Sequence, residues 1–235
     1  MTARMLIRSL LFGVVTLTLV SGPSALCAQE KSVALPPPVL DGKISVEKAI
    51  SSWRTARKFA ETPLTLAQVG QILWSANGKI ETDATTGATR RATPSAWKAY
   101  PIDVYLLVGV KTVTKLAAGI YRYDPEEHAL ELVEKGDKRT ALSQAASGQK
   151  WLLKVPIAVV ICGDFERIDT EKASPEQWAN WIRSEAGMVA QNVVLQARAL
   201  DLAGNTVGAF KEADLAKVLK VKENVKPMLV LGLGK

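Results

Sequence analysis

The chain has 235 residues, 48% of them hydrophobic, with 30 Lys+Arg against 23 Asp+Glu and a formal charge of +7. A chain of this size and composition can bury a substantial core, and its length suits one domain. Its cations are scattered, which suits small anions or an acidic surface better than nucleic acid. One histidine and two cysteines leave no usual transition-metal cluster.

Residues 1–28 read as a secretory signal peptide. Arg4 and Arg8 form a basic start, residues 10–20 are an apolar run too short for a stable span, and S-A-L-C-A follows at 24–28. Cleavage after Cys27 or Ala28 would leave about 207 residues at charge +5. The expected location is periplasmic or secreted. Lipidation of Cys27 is the alternative, against which the bulky Leu26 stands. No other stretch is long and apolar enough to cross a bilayer, so no transmembrane anchor is expected in the mature chain. Cys162 would then be the only cysteine, inside the apolar run V-P-I-A-V-V-I-C-G, where it reads as a buried small hydrophobe.

Residues 29–45 contain P-P-P and read as an extended arm. Residues 46–235 form the domain. A short helix is predicted over 46–53 and a longer one over 65–76, with a Thr65/Gln68 capping box and a stop at Asn77-Gly78. Leu66, Val69, Ile72, Leu73 and Ala76 share its apolar face. The polar, Gly/Thr-rich stretch 79–91 reads as a mobile loop. Residues 102–110 predict a buried strand, and 119–123 with 129–133 a hairpin about the D-P-E-E-H turn. A short helix is predicted at 139–146 and a central strand at 155–162. Ser174-Pro175-Glu176-Gln177 opens the longest helix, which runs to about 202 and stops at Gly204. Residues 212–219 predict a helix and 228–233 a closing strand. Strands and helices interleave around one hairpin, which implies α+β or mixed α/β in one domain.

Three segments can carry chemistry. The first is W-R-T-A-R-K-F at 53–59, where Arg54, Thr55 and Arg57 offer two guanidinium groups and a hydroxyl. That set can hold a phosphate by charge-assisted hydrogen bonds, or it can be a solvated basic patch beside a helix end. The second is A-T-P-S-A at 92–96, either a ligand loop or a plain Pro-containing turn before a strand. The third is T-V-G-A-F at 206–210, read as a turn after the long helix in which Gly208 permits close backbone approach. His128 reads as a turn residue. Asp103, Asp164 and Glu185 have no partner visible in the sequence, and Glu185 is placed on the polar side of the long helix. No Walker motif or Rossmann glycine fingerprint is present.

In their order and separation these segments resemble the flavin site of the nitroreductase family. The G-I-Y-R-Y-D-P-E-E-H-A-L hairpin and E-A-G-M-V-A-Q-N helix are most similar to its SagB-type dehydrogenase branch. The resemblance covers nearly all of the mature chain. It implies an α+β nitroreductase-like fold, with a central mixed or antiparallel sheet flanked by helices, in a homodimer that holds FMN at its interface. It also implies that Arg54, Thr55 and Arg57 hold the phosphate, with Lys235 near it. Pro94, Ser95 and Ala96 would reach the ring from the partner subunit. Val207, Gly208 and Ala209 would bring a backbone N–H near flavin N5. Arg57, with Lys98 second, would supply positive charge to the ring. The chain departs from the pattern at Trp53, where a cation is usual, and at Trp97, where glycine is usual.

The expected activity is FMN-dependent oxidoreduction, moving hydride between flavin N5 and a small or peptide-derived substrate. Catalytic side chains are not required and no metal is expected. An exported chain would need a donor other than soluble nicotinamide nucleotides. Two other readings stay open: an exported non-catalytic binding protein that keeps the fold without FMN, and a scaffold dimer in an envelope complex.

Overall fold

A computed structural model describes residues 32–235. The signal-peptide reading of 1–28 and the first residues of the arm lie outside the described residues. The rest of the arm is strapped down. Strand β1 (Ser32–Ala34) pairs with β6 (Ala129–Lys135), and the Gln71 amide clasps Val39 through both its backbone N–H and C=O.

Helix α1 (Val46–Ser52) starts at a Ser45 cap, and α2 (Leu66–Asn77) at the Thr65/Gln68 capping box. Val69, Ile72, Leu73 and Ala76 are fully buried, whereas Leu66 is only partly so. Gly78 does end α2, but not through a left-handed turn, since its φ is −69°. A Cβ there would lie 2.7 Å from the Trp74 backbone.

Residues 79–91 are not the loop expected. They form a two-stranded hairpin, β2 (Lys79–Thr82) with β3 (Thr89–Arg91). Asp83 Oδ1 accepts from Thr85 and Thr86 N–H, and Gly87 takes φ +67°. A hairpin with little burial on either face needs no apolar alternation, so its sequence looks like a loop.

The main sheet follows. Strand β4 (Ile102–Val108), the β5 (Gly119–Asp124) and β6 hairpin, β7 (Ile157–Asp164), β8 (Ala203–Val207) and β9 (Val225–Gly234) join β1 in the order β1-β6-β5-β4-β7-β9-β8. Every neighbouring pair is antiparallel. The two sheet types left open by the sequence are thereby decided: α+β with an antiparallel sheet. One face, with Val104, Leu106, Val159 and Ile161, packs on α2 and the 25-residue α4 (Pro175–Ala199). The other, with Tyr105, Leu107, Val160 and Cys162, packs on α3 (Arg139–Ala145) and α5 (Glu212–Leu219). Strand β7 is buried on both faces, which is why an antiparallel strand reads as an unbroken apolar run. The helices thus form the two outer layers.

Helix α4 opens with the Ser174/Gln177 capping box and Pro175 in its first turn. It stops before the expected point. Asp201 takes φ +58°, and Leu202 N–H reaches back to Ala197 C=O, a C-terminal cap made by aspartate rather than glycine. That early stop frees Ala203–Val207 to become strand β8. Strand β9 also begins before the predicted 228. It passes a register shift at Pro227, which has no N–H to donate.

Among the described residues no helix is long and apolar enough to cross a membrane.

Candidate active site

The basic segment after α1 is held in place by the far end of the sheet. Thr55 bridges Gly204 in parallel, and Ala56 N–H donates to Gly204 C=O at 2.8 Å. Ala60 N–H donates to Lys235 C=O at 2.6 Å. Two glycines make this approach possible. A Cβ on Gly204 would lie 2.1 Å from the Gly232 carbonyl oxygen, and one on Gly234 would lie 2.7 Å from the Phe59 ring. Arg54, Thr55, Arg57 and Lys235 are all exposed around this end of β8 and β9. The structure therefore brings together three cations and a hydroxyl from both ends of the domain. Trp53 does not face outward with them; it packs against the main core.

The segment T-V-G-A-F begins within β8 rather than in a turn. Thr206 and Val207 pair with Leu231 and Val230, and Gly208 is the first residue beyond the strand. Val207 is buried, while Gly208 and Ala209 are exposed. A Cβ on Gly208 would meet only Leu229, at 4.0 Å. Packing within the chain does not require glycine there. From Gly204 to Gly208 the strand path is about 13 Å.

The A-T-P-S-A loop lies elsewhere in the chain. Asn192 Nδ2 donates to Ala92 C=O and to Thr93 Oγ1, and Thr93 Oγ1 donates to Ala76 C=O. The loop leads into Ile102, which is opposite Gly163. The basic segment lies at the level of Val108, Ile157 and Leu233. Six residues of β4, about 20 Å, separate the two levels. A single chain does not bring Pro94, Ser95 and Ala96 to Arg54, Thr55 and Arg57.

Ser95 is engaged inside its own chain. Its Oγ accepts from Tyr100 N–H at 2.8 Å. Glu185 is the main correction to the sequence reading. It is 2% exposed, not on the polar side of α4, and its Oε1 has no partner. Burial pushes its carboxyl up to about 7, against the lowering effects of Ser95 and Arg91. The signal was present in the spacing: Glu185 lies seven residues after Trp178 and four before Val189, both core positions of α4.

Trp97, Lys98 and Tyr100 follow Ser95 with φ of 54°, 56° and 46°. Left-handed non-glycine residues in such number store strain of roughly 1–2 kcal/mol each. Trp97 is 61% exposed. Lys98 is turned to the β4–β5 side of the loop, where it lines a cleft with Arg91 and Asn77.

The remaining candidates are structural. Asp103 and Asp164, unpaired in the sequence reading, both bond Arg167, at 2.8 and 3.0 Å. Nε2 of His128 bonds Pro36 C=O and Nδ1 bonds Tyr123 Oη, so the ring pins the arm to the hairpin. A neutral ring that donates from Nε2 and accepts at Nδ1 satisfies both contacts, and burial holds its pKa down. Cys162 is fully buried and its thiol is pushed well up.

This is an α+β sheet protein with a cluster of exposed cations beside the start of β8 and exposed residues, Gly208 and Ala209, just beyond its end. The nitroreductase family profile matches residues 50–235, and the chain belongs to that family. A provisionally named nitroreductase of Methanocaldococcus jannaschii is 31% identical over 193 residues, covering 82% of this chain and 92% of its own. Among solved structures, a nitroreductase-like protein of Ralstonia eutropha superposes with TM-score 0.73 at 26% identity, covering 88% of this chain and 90% of its own. An NADPH:FMN oxidoreductase of Vibrio harveyi superposes with TM-score 0.56 at 20% identity, covering 80% and 67%. Family membership points to an oxidoreductase.

Proposed function

We propose that this chain is an FMN-dependent oxidoreductase that acts as a homodimer, close to the SagB-type branch, on a small or peptide-derived substrate. One observation carries the reading. The segment 55–60 is held at Gly204 through Thr55 and Ala56 and at Lys235 through Ala60, so that exposed cations and a hydroxyl gather at one end of β8, and an exposed glycine lies at the other. A phosphate fits the first and the edge of a flat ring fits the second.

When bound, the flavin supplies hydride donor and acceptor chemistry. The chain's own residues do the rest. Arg54, Thr55, Arg57 and Lys235 bind the phosphate by charge-assisted hydrogen bonds. Val207, Gly208 and Ala209 orient the ring through the backbone. Arg57, with Lys98 second, supplies positive charge where negative charge accumulates on reduction. Pro94, Ser95, Ala96 and Lys98 lie about 20 Å along the sheet from the phosphate end of their own chain, so they would serve the site of a second copy. The signal-peptide reading adds that the enzyme is periplasmic or secreted and draws electrons from a donor other than soluble nicotinamide nucleotides.

The test is the visible spectrum of the natively purified protein, before and after addition of FMN. Flavin absorbance retained through gel filtration in a dimer supports the proposal. A colourless protein that also ignores added FMN overturns it. One observation favours the second reading, a binding protein without flavin: Trp53 packs into the core where a further cation would face the phosphate.

A further inference from the structure

Two polar side chains on one face of α4 engage the A-T-P-S-A loop. Asn192 Nδ2 donates to Ala92 C=O and Thr93 Oγ1, and the buried Glu185 carboxyl lies where the Ser95 hydroxyl acts on it. Seven residues of helix separate the two, or about 10 Å. Ala92 to Ser95 in extended chain covers about the same distance. The loop therefore runs along α4 from Asn192 to Glu185. Beyond Ser95 it enters the strained turn. Lys98 N–H donates to Ser95 C=O at 3.1 Å, Tyr100 N–H to Ser95 Oγ at 2.8 Å, and Arg167 Nη1 to Tyr100 C=O at 3.2 Å. These tethers fix Ser95, itself half-buried, between the helix and the turn.

No carboxylate or ammonium of the packed elements competes for Glu185. Helix α2 and strand β8 carry no charged residue. Asp103 of β4 and Asp164 of β7 are both held by Arg167, and Lys226 of β9 lies over the Phe165 ring. Glu47 and Lys48 of α1 and Arg183 of α4 are exposed. Tyr105 and Cys162 belong to the opposite face of the sheet. Arg91 of β3 is the cation that acts on the carboxyl, and Glu126 and the Tyr100 ring hold its guanidinium. Glu185 Oε1 is left without a partner.

The hydroxyl of Ser95 can then be set in two ways. A serine hydroxyl has one O–H and two lone pairs. Tyr100 N–H takes one lone pair. A neutral Glu185 donates its O–H into the other, which leaves the Ser95 O–H free to point away from α4. An ionised Glu185 can only accept, and it captures that O–H. We propose that Glu185 is a positioning residue that gates the Ser95 hydroxyl, presenting it to the flavin ring of a second copy when protonated and withdrawing it when ionised. Ser95 reaches that ring in the flavin reading, on which the gate rests. Burial lifts the Glu185 carboxyl to about 7, so the hydroxyl is presented below that pH and withdrawn as pH rises through it.

FMN affinity, read by quenching of flavin fluorescence at about pH 6 and about pH 8.5, tests the gate. Affinities are compared at one pH at a time, so titration of the FMN phosphate cancels. At the lower pH Ser95→Ala should bind FMN about three- to tenfold more weakly than the parent, the effect of one hydrogen bond. At the higher pH the two should bind alike, because the parent hydroxyl is already withdrawn. Glu185→Gln keeps a donor toward Ser95 at every pH. Adding Ser95→Ala to it should therefore weaken binding about three- to tenfold at both. A Ser95→Ala effect that is the same at both pH values in the parent, or that fades at the higher pH in Glu185→Gln, overturns the gate and leaves the flavin reading standing. No FMN binding by the parent at either pH overturns both. Should Glu185→Gln fail to fold, the parent and Ser95→Ala decide the outcome by themselves.

Discussion

Glu185 makes a sharp thermodynamic prediction. Its carboxyl is 2% exposed, one oxygen has no partner, and burial lifts its pKa from 4.5 to about 7. In the unfolded chain it titrates near the lower value. Below about pH 4.5 both states hold the proton, and the group's contribution to stability is fully present. As pH rises, the unfolded chain releases its proton while the folded chain keeps it. Each pH unit in that window then costs about 1.4 kcal/mol. The loss levels off once the folded carboxyl ionises, at about 3–4 kcal/mol. Glu185→Gln keeps the shape and cannot ionise. It should match the parent near pH 4.5 and exceed it by about 3–4 kcal/mol at pH 8, or about 7–14 °C in Tm for a domain of this size. Thermal unfolding followed by circular dichroism from pH 4.5 to 8 measures both. If parent and Glu185→Gln lose stability with the same slope across that window, the carboxyl is not protonated in the folded chain and the reasoning fails.

Other perturbations probe the remaining links. Arg57→Ala should weaken FMN binding about tenfold to a hundredfold, read by quenching of flavin fluorescence, because one charge-assisted contact to phosphate is removed. Gly204→Ala must push the Gly232 carbonyl out of its ladder with β8, given the 2.1 Å approach. It should cost several kcal/mol, and it should also weaken FMN binding, because Ala56 hangs on Gly204. Ile161→Ala, in the fully buried β7, should lower stability by about 2–5 kcal/mol in urea unfolding with an unchanged m-value. An Ile161→Ala loss below about 0.5 kcal/mol would mean that β7 is not buried in the core.

The long elements were legible because local signals agreed with their burial. Both capping boxes appear as read, the apolar run of β7 is an interior strand buried on both faces, and the D-P-E-E-H hairpin pairs as expected. The elements that were missed lack those signals. The β2–β3 hairpin is largely exposed and so carries no alternation. Strand β8 follows an α4 stop made by Asp201, whereas Gly204 drew attention as the natural terminator. Glu185 sat at a core spacing, but its charge argued for solvent, and only the tertiary structure shows that it is inside, where burial raises its carboxyl.

The amino-acid order alone determined the class of fold, the helix starts and the types of residue able to grip an anion, since caps, apolar periods and turn chemistry act over a few neighbours. The tertiary structure decided which of those residues meet. Ala60 reaches the C-terminal Lys235, and Ala56 reaches Gly204, only because two glycines let the backbone of 55–60 lie against β8 and β9. The loop at 94–96 lands at the other end of the sheet because the register of β4 on β7 puts it there. Register and close approach depend on partners far away in sequence, and no local pattern encodes them.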